Sequence, residues 1–90
     1  MSKQFIGWSG GVFLNFVGVA AYEREGRVLL VAEDTRKGAR AVLRPDGTPA
    51  VTEISREQWD QRPSDAYDNT VTLAWAFREV GLPWPGEEQP

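Results

Sequence analysis

Carboxylate side chains are concentrated in one short part of the 90-residue sequence. Five occur within 16 residues, namely Glu53, Glu57, Asp60, Asp65 and Asp68. Carboxylate oxygens bind hard cations, but the spacing does not match a calcium loop of the EF-hand type. We interpret the segment as an acidic surface that keeps the protein soluble and caps helices, or that docks on a basic partner through Glu53, Glu57 and Asp60.

The sequence contains neither histidine nor cysteine. Histidine is the commonest general base and transition-metal ligand, and cysteine supplies thiolates and disulfides. Their absence excludes most kinds of catalysis. The prediction at this point is a protein that is not an enzyme and that has no metal site and no cofactor.

One motif has the form of a catalytic one. The segment from Gly7 to Gly11 reads Gly-Trp-Ser-Gly-Gly and matches G-x-S-x-G, the nucleophile elbow of α/β-hydrolases. That motif requires a strand-to-helix turn in a larger parallel sheet and a histidine partner for the serine. We therefore interpret the segment as a glycine-rich bend, without a nucleophile at Ser9.

Four basic residues form a second charged group, comprising Arg36, Lys37, Arg40 and Arg44. Nucleic-acid binding would require aromatic residues among them and a basic chain, whereas the net charge is -3. Direct nucleic-acid binding is thus not expected. The group is either a solvated surface or a second contact patch for a protein.

The C-terminal part carries more apolar residues than one buried helix face needs. Tyr67, Val71 and Trp75 are spaced by four residues, with Arg78 beside them, and they point away from Leu73. Either Trp59 or the tail around Trp84 covers this stripe within the chain, or a partner protein does. The second reading makes Tyr67, Val71, Trp75, Arg78 and Trp84 partner-binding residues, since Trp, Tyr and Arg are typical of interfaces.

An uncharged stretch of 18 residues, from Phe5 to Tyr22, dominates the N-terminal half. It is too rich in glycine and too short for a membrane-spanning helix, and it resembles a signal peptide only superficially. Residues 12–22 alternate apolar side chains on both faces, as in a strand that is covered on both sides. We expect a cytoplasmic protein whose central strand lies here.

Turn signals divide the remainder of the chain. Residues 23–26 should join two strands as a hairpin, and residues 45–48 should form a turn between two further strands. Ser55 followed by Gln58 is a capping box for a short helix. A long helix should then start at Ser64 or Asp65 and end at Gly81, with Leu82 packed on Phe77 in a Schellman motif.

Together these elements predict a single α+β domain over residues 1–90. An antiparallel sheet of four to five strands, from about residue 4 to 54, precedes a short helix and one long C-terminal helix packed on the sheet. Residues 85–90 are expected to fray. Because one helix covers only one face, the second face should be covered by a homodimer or by curling of the sheet around its own core.

Two functional classes follow. The first is a small non-enzymatic binding protein, such as an inhibitor of a larger macromolecule of the phage anti-defence or toxin-neutralising type. The second is a structural subunit that acts through homo-oligomerisation. A small carboxylate-dependent enzyme is a minor third hypothesis.

Overall fold

The computed structural model describes residues 3–38 and 40–85. Five strands precede two α-helices: β1 (Gln4–Trp8), β2 (Val17–Arg24), β3 (Arg27–Asp34), β4 (Arg40–Ala41), β5 (Val51–Ser55), α1 (Arg56–Asp60) and α2 (Val71–Glu79). A short 3-10 turn over Thr35–Lys37 follows β3. The α+β prediction, with an antiparallel sheet and a C-terminal helix after it, is confirmed.

The sheet is built around β3. It pairs with β2 along its whole length, with β5 from Arg27 to Val31, and with β4 at Glu33 and Asp34. β1 pairs with the outer side of β2, and all four pairings are antiparallel. The last two residues of β3 therefore lie between the start of β2 and the short β4.

Two tight turns shape the N-terminal half. Glu25 and Gly26 join β2 to β3 with positive φ angles of 53° and 80°, which confirms the predicted hairpin. The prediction of one strand over residues 12–22 is wrong in its first part. Leu14 and Val17 exchange backbone hydrogen bonds of 2.9 and 3.0 Å across a turn at Asn15 and Phe16, so β2 starts only at Val17.

The principal core lies between the sheet and α2. Alternate residues of β2 and β3 point to this side and pack against Leu73, Ala76, Phe77 and Val80 of the C-terminal segment. Leu30 is fully buried and Leu73 is 1% exposed. Burial of such a side chain contributes about 1.5–3 kcal/mol, so this contact fixes the helix on the sheet.

The other face of the sheet is partly covered by the chain itself. The ring of Phe13 lies directly over Gly18, where a β-carbon would overlap it, and contacts Trp8 with ring centroids 5.2 Å apart. Phe5 packs edge-on against Tyr22 at 5.6 Å. Phe5 and Phe13 nevertheless remain 47% and 45% exposed. A homodimer that covers the remainder of this face of the sheet stays a prediction.

The C-terminal helix is shorter than predicted. It starts at Val71 rather than at Ser64 or Asp65. Asp65 accepts a hydrogen bond from the Tyr67 amide, and Asp68 accepts one from the amide and one from the hydroxyl of Thr70. These local bonds hold residues 65–70 in turns that compete with a helix.

Both predicted caps are present at the other helix ends. Ser55 and Gln58 exchange the two hydrogen bonds of a capping box before α1. After α2, the Leu82 amide donates to the Phe77 carbonyl at 2.8 Å and the Gly81 amide to the Arg78 carbonyl at 3.1 Å, as a Schellman motif requires. Of the predicted frayed tail, residues 86–90 lie outside the described residues. Within the described ranges, no helix has the length and apolar character needed to cross a membrane.

Candidate functional site

A groove with two positively charged residues opens at the end of β3. It has a volume of about 380 Å³ and is lined by Val17, Asp34, Lys37, Arg40, Ala41, Val42 and Leu43. We call it the cationic groove. Its walls are held by sheet pairing, because Asp34 lies opposite Val17 on one side and opposite Arg40 on the other.

Asp34 is the buried acid of the groove and is bound to Arg36. The residue is 8% exposed, and its two carboxylate oxygens accept hydrogen bonds from Arg36 Nε at 3.3 Å and Nη2 at 3.1 Å. The Arg36 amide donates a third bond at 3.0 Å. The hydrogen bond from the Arg36 side chain lowers the pKa of the Asp34 carboxyl, and desolvation opposes this only in part. Asp34 is thus ionised, with Arg36 as its hydrogen-bonded counter-ion and a smaller Coulombic contribution from Lys37.

Lys37 and Arg40 are the remaining charges of the groove. Over residues 3–38 and 40–85, neither takes part in an ion pair shorter than 4.0 Å or in a side-chain hydrogen bond. Asp34 is the acid nearest to them along the sheet, and its charge is taken up by Arg36. The groove therefore carries two positive charges that an anionic ligand can bind.

Arg44 does not belong to the groove, although it was predicted to form one charged group with Arg36, Lys37 and Arg40. β4 ends at Ala41, and the side chain of Arg44 contacts the end of α2 and the start of β5. Its guanidinium donates to the Val80 carbonyl at 2.8 Å and the Val51 carbonyl at 2.6 Å. The predicted contact patch thus divides into Lys37 and Arg40 in the groove, Arg36 bound to Asp34, and Arg44 as a structural arginine.

An open aromatic cleft lies beside the cationic groove. It has a volume of about 590 Å³ and is lined by Val12, Phe13, Asn15, Phe16 and Thr35. The stretch was interpreted from sequence as a strand, so neither this cleft nor a role for Asn15 was predicted. The available signal was Asn15, which tolerates the left-handed conformation that a tight turn needs.

The predicted partner stripe is not continuous. Tyr67 is 99% exposed in the loop before α2, whereas Trp75 is half-buried and packs towards Trp59 at a centroid distance of 6.5 Å. Trp84 packs edge-on against Phe77 at 5.2 Å. Val71 and Arg78 lie at the two ends of α2. The chain therefore covers part of this surface itself, and a protein partner there stays a prediction.

The acidic residues form surface ion pairs. Glu53 pairs with Arg27 at 3.4 Å, and Asp60 pairs at 3.2 Å with Arg56, which also binds Glu23 at 3.0 Å. Glu57 lies in the first turn of α1. In the described part of the chain, no three acidic side chains are grouped so that they could hold a metal ion.

A small polar pocket of about 230 Å³ lies between the glycine-rich bend and α2. Gly10, Asp60, Arg62, Ser64 and Thr72 line it. Arg62 stacks on Trp59 at 3.9 Å and donates to the Trp59 carbonyl at 2.8 Å, and Asp60 is paired with Arg56. Because its charges are already engaged, this pocket is a weaker anion site than the cationic groove.

Ser9 is inaccessible. The residue is 0% exposed, and within the described residues its hydroxyl has no hydrogen-bond partner. A nucleophile must reach both its base and the substrate. The interpretation of residues 7–11 as a bend is right only from Ser9 to Gly11, because Gly7 and Trp8 belong to β1.

One curated protein is similar to this chain. A protein named Acylphosphatase, from Rhodococcus jostii strain RHA1, is 38% identical over 55 residues, which make up 58% of this chain and 62% of that relative. No family model matches the chain. No solved structure matches it.

This similarity contradicts the prediction of a non-enzymatic inhibitor, because the relative bears the name of an enzyme. The prediction rested on the absence of histidine and cysteine. That argument holds for reactions that need a general base near neutral pH or a thiolate. It does not hold for reactions whose leaving group departs without a proton, and acyl phosphate cleavage is one of these.

Proposed function

We propose that this chain hydrolyses acyl phosphates, with the phosphoryl group bound in the cationic groove. The similarity to the protein named Acylphosphatase carries the proposal. The charges of Lys37 and Arg40, which form no ion pair within the described residues, support the location, since a phosphoryl dianion requires cationic partners. We also propose a cytoplasmic location, as expected from the sequence.

The chemistry suits a chain without histidine. An acyl phosphate is a mixed anhydride whose leaving group is a carboxylate, and carboxylic acids have pKa values of about 4. Such a group leaves as an anion and needs no general acid. Catalysis can then consist of positioning the phosphoryl group and stabilising its charge.

In the proposed reaction, Lys37 and Arg40 bind the phosphoryl oxygens. The oxygen of a water molecule forms a bond to phosphorus while the bond from phosphorus to the bridging oxygen breaks. The electron pair of the broken bond stays on the carboxylate, and a water proton passes to phosphate or solvent. Arg40 can offer two parallel N–H donors, whereas Lys37 acts as a point charge.

Asp34 has a positioning role in this scheme. Because its pKa is lowered by the Arg36 hydrogen bond, the carboxylate is a weak base and is not expected to remove the water proton. It holds Arg36 at the edge of the groove through two side-chain hydrogen bonds. We therefore assign binding of the phosphoryl group to Lys37 and Arg40.

The test is release of inorganic phosphate from acetyl phosphate by the purified chain, after subtraction of uncatalysed hydrolysis. Lys37→Ala and Arg40→Ala should each lower kcat/KM about tenfold, a loss of about 1.4 kcal/mol of transition-state stabilisation. Arg24→Ala is the matched control, since this exposed arginine lies about 23 Å from Val17 along β2 at about 3.3 Å per residue.

A mock preparation from cells that do not express the chain, purified in the same way, controls for contaminating phosphatases. Phosphate release by the wild type no faster than in this preparation would refute the proposed reaction. Release that survives both single substitutions, or that Arg24→Ala lowers equally, would refute the location in the groove.

A further inference from the structure

We infer that the acyl group of the substrate is aromatic and binds in the aromatic cleft, with Phe16 as the residue that selects it. This inference rests on the proposed function for the identity of the reaction. The binding of the aromatic group itself can be measured without turnover.

The cleft and the groove are lined by adjacent residues of the same two segments. Phe16 lines the cleft and Val17 the groove, while Thr35 lines the cleft and Asp34 the groove. The two segments are joined where the Thr35 amide and hydroxyl both donate to the Phe16 carbonyl, at 2.9 and 3.0 Å. The boundary between the two cavities therefore falls between adjacent residues, Phe16 and Val17 in one segment and Asp34 and Thr35 in the other.

Arg36 connects the two cavities. Its guanidinium carbon lies 4.8 Å from the centre of the Phe16 ring, and its Nη2 donates to Asp34 at 3.1 Å. The Asp34 bonds use Nε and Nη2, so the Nη1 donors are unused among the described contacts.

The cleft has the composition of a site for a flat, apolar group. Phe13 and Phe16 are 45% and 56% exposed and supply aromatic surface on which a ring can stack. Asn15 makes no hydrogen bond through its side chain within the described residues, so its amide can donate to an acyl oxygen. An aliphatic acyl group such as acetyl would leave most of this surface uncovered.

Phe16 contacts Arg36 through its ring, but its backbone conformation does not favour a bulky residue. It adopts φ 69° in the second position of its turn, a conformation in which bulky residues are rare and which glycine or asparagine would adopt with less strain. Strained residues of this kind cluster at ligand-binding sites. The ring is held outwards beside Arg36, which is a position suited to contact with a ligand.

The kinetic test compares benzoyl phosphate with acetyl phosphate. The wild type should turn over benzoyl phosphate with at least a tenfold higher kcat/KM after correction for the uncatalysed rates. Phe16→Ala should lower kcat/KM for benzoyl phosphate about tenfold, mainly by raising KM. It should leave kcat/KM for acetyl phosphate unchanged. Phe16→Tyr should retain the preference.

Phe5→Ala is the matched control. This phenylalanine is exposed to a similar degree, at 47%, but lies on β1 against Tyr22 and Trp8 and lines neither cavity, so only the benzoate-induced change in the Trp8 resonance is compared. Phe5→Ala should not change kcat/KM for either substrate. Equal loss for both substrates in Phe16→Ala, or no preference in the wild type, would overturn the inference.

The binding test uses benzoate and the indole N–H resonance of Trp8, whose ring lies 5.2 Å from that of Phe13. Benzoate should shift this resonance in the wild type and in Phe5→Ala but not in Phe16→Ala, and acetate should not shift it. A benzoate response without hydrolysis would support the aromatic site and refute the reaction. Hydrolysis without a benzoate response would refute the aromatic site alone.

Discussion

Arg44 Nε donates a hydrogen bond of 2.8 Å to the carbonyl oxygen of Val80, at the C-terminal end of α2. The same guanidinium donates from Nη2 to the Val51 carbonyl at 2.6 Å, so one side chain ties the helix end to the start of β5. A cation at this position also interacts favourably with the helix dipole. The arginine thus connects the end of α2 with the start of β5 through one side chain.

Arg44→Ala should lower the free energy of unfolding by about 2 kcal/mol, because it removes two charge-assisted hydrogen bonds to partly buried carbonyls. Arg40→Ala is the matched control and should change stability by less than about 0.5 kcal/mol, since that side chain is on the surface. Urea denaturation measures both. Equal effects of the two substitutions would contradict the assigned role of Arg44.

Gly18 and Phe13 form the contact that covers the second face of the sheet. A β-carbon at Gly18 would overlap the Phe13 ring. Gly18→Ala should therefore lower the free energy of unfolding by about 1 kcal/mol, as expected when a packed group must move. It should also weaken the nuclear Overhauser contacts between Phe13 and Trp8.

A double-mutant cycle separates this contact from other effects of the substitution. In a Phe13→Ala background, Gly18→Ala should be neutral or stabilise by up to about 1 kcal/mol, because alanine loses less conformational entropy than glycine in a strand. Chemical denaturation of the four proteins gives the coupling energy. Additive changes in the free energy of unfolding would show that the packing of the Phe13 ring is not coupled to residue 18.

The parts of the fold that could be predicted have local signals. The Schellman ending at Gly81 and Leu82 and the capping box at Ser55 and Gln58 each depend on residues a few positions apart, and both are present. The start of α2 could not be placed, because Asp65 and Asp68 cap a helix in one conformation and hold turns in another. An aspartate favours both a helix cap and a turn, so the residue type at these positions does not show where the helix starts.

The candidate site depends on pairings between distant residues. Asp34 meets Val17 and Arg40 only through the sheet register, and the neutralisation of Asp34 by Arg36 is what leaves Lys37 and Arg40 uncompensated. The charges of the groove were recognised in the sequence as a group. Its separation from Arg44 was not, because β4 was expected to continue through Arg44.

Tyr22 should titrate at unusually high pH. Burial, the hydrogen bond that its hydroxyl donates to Glu33 at 2.8 Å and the negative charge of Glu33 raise the pKa of Tyr22 to about 12, from 10.0. In a Tyr67→Phe variant Tyr22 is the only tyrosine, so absorbance at 295 nm reports it alone. Glu33→Gln in that background should lower the midpoint of the Tyr22 titration, because it removes the negative charge beside the phenol.

The same shift predicts how stability depends on pH. The folded state favours the neutral phenol, so this contribution is complete below pH 10 and is lost as the pH rises towards 12. Tyr22→Phe should remove that part of the decline in the free energy of unfolding between pH 10 and 12. Tyr67→Phe is the control, because that ring is 99% exposed. A midpoint near 10 in the absorbance titration would contradict both expectations.

Two serines with opposite environments provide the last prediction. The Ser9 hydroxyl is fully buried without a partner in the described residues, so Ser9→Ala removes an unsatisfied polar group and should raise the free energy of unfolding by about 1 kcal/mol. Ser55→Ala removes an N-cap hydrogen bond of 3.0 Å and should lower it by about 1 kcal/mol. Thermal or urea denaturation distinguishes the two signs. Ser9→Ala should also leave phosphate release from acetyl phosphate unchanged, because the buried hydroxyl cannot reach a substrate. A loss of activity without a loss of stability would instead indicate that Ser9 is a nucleophile.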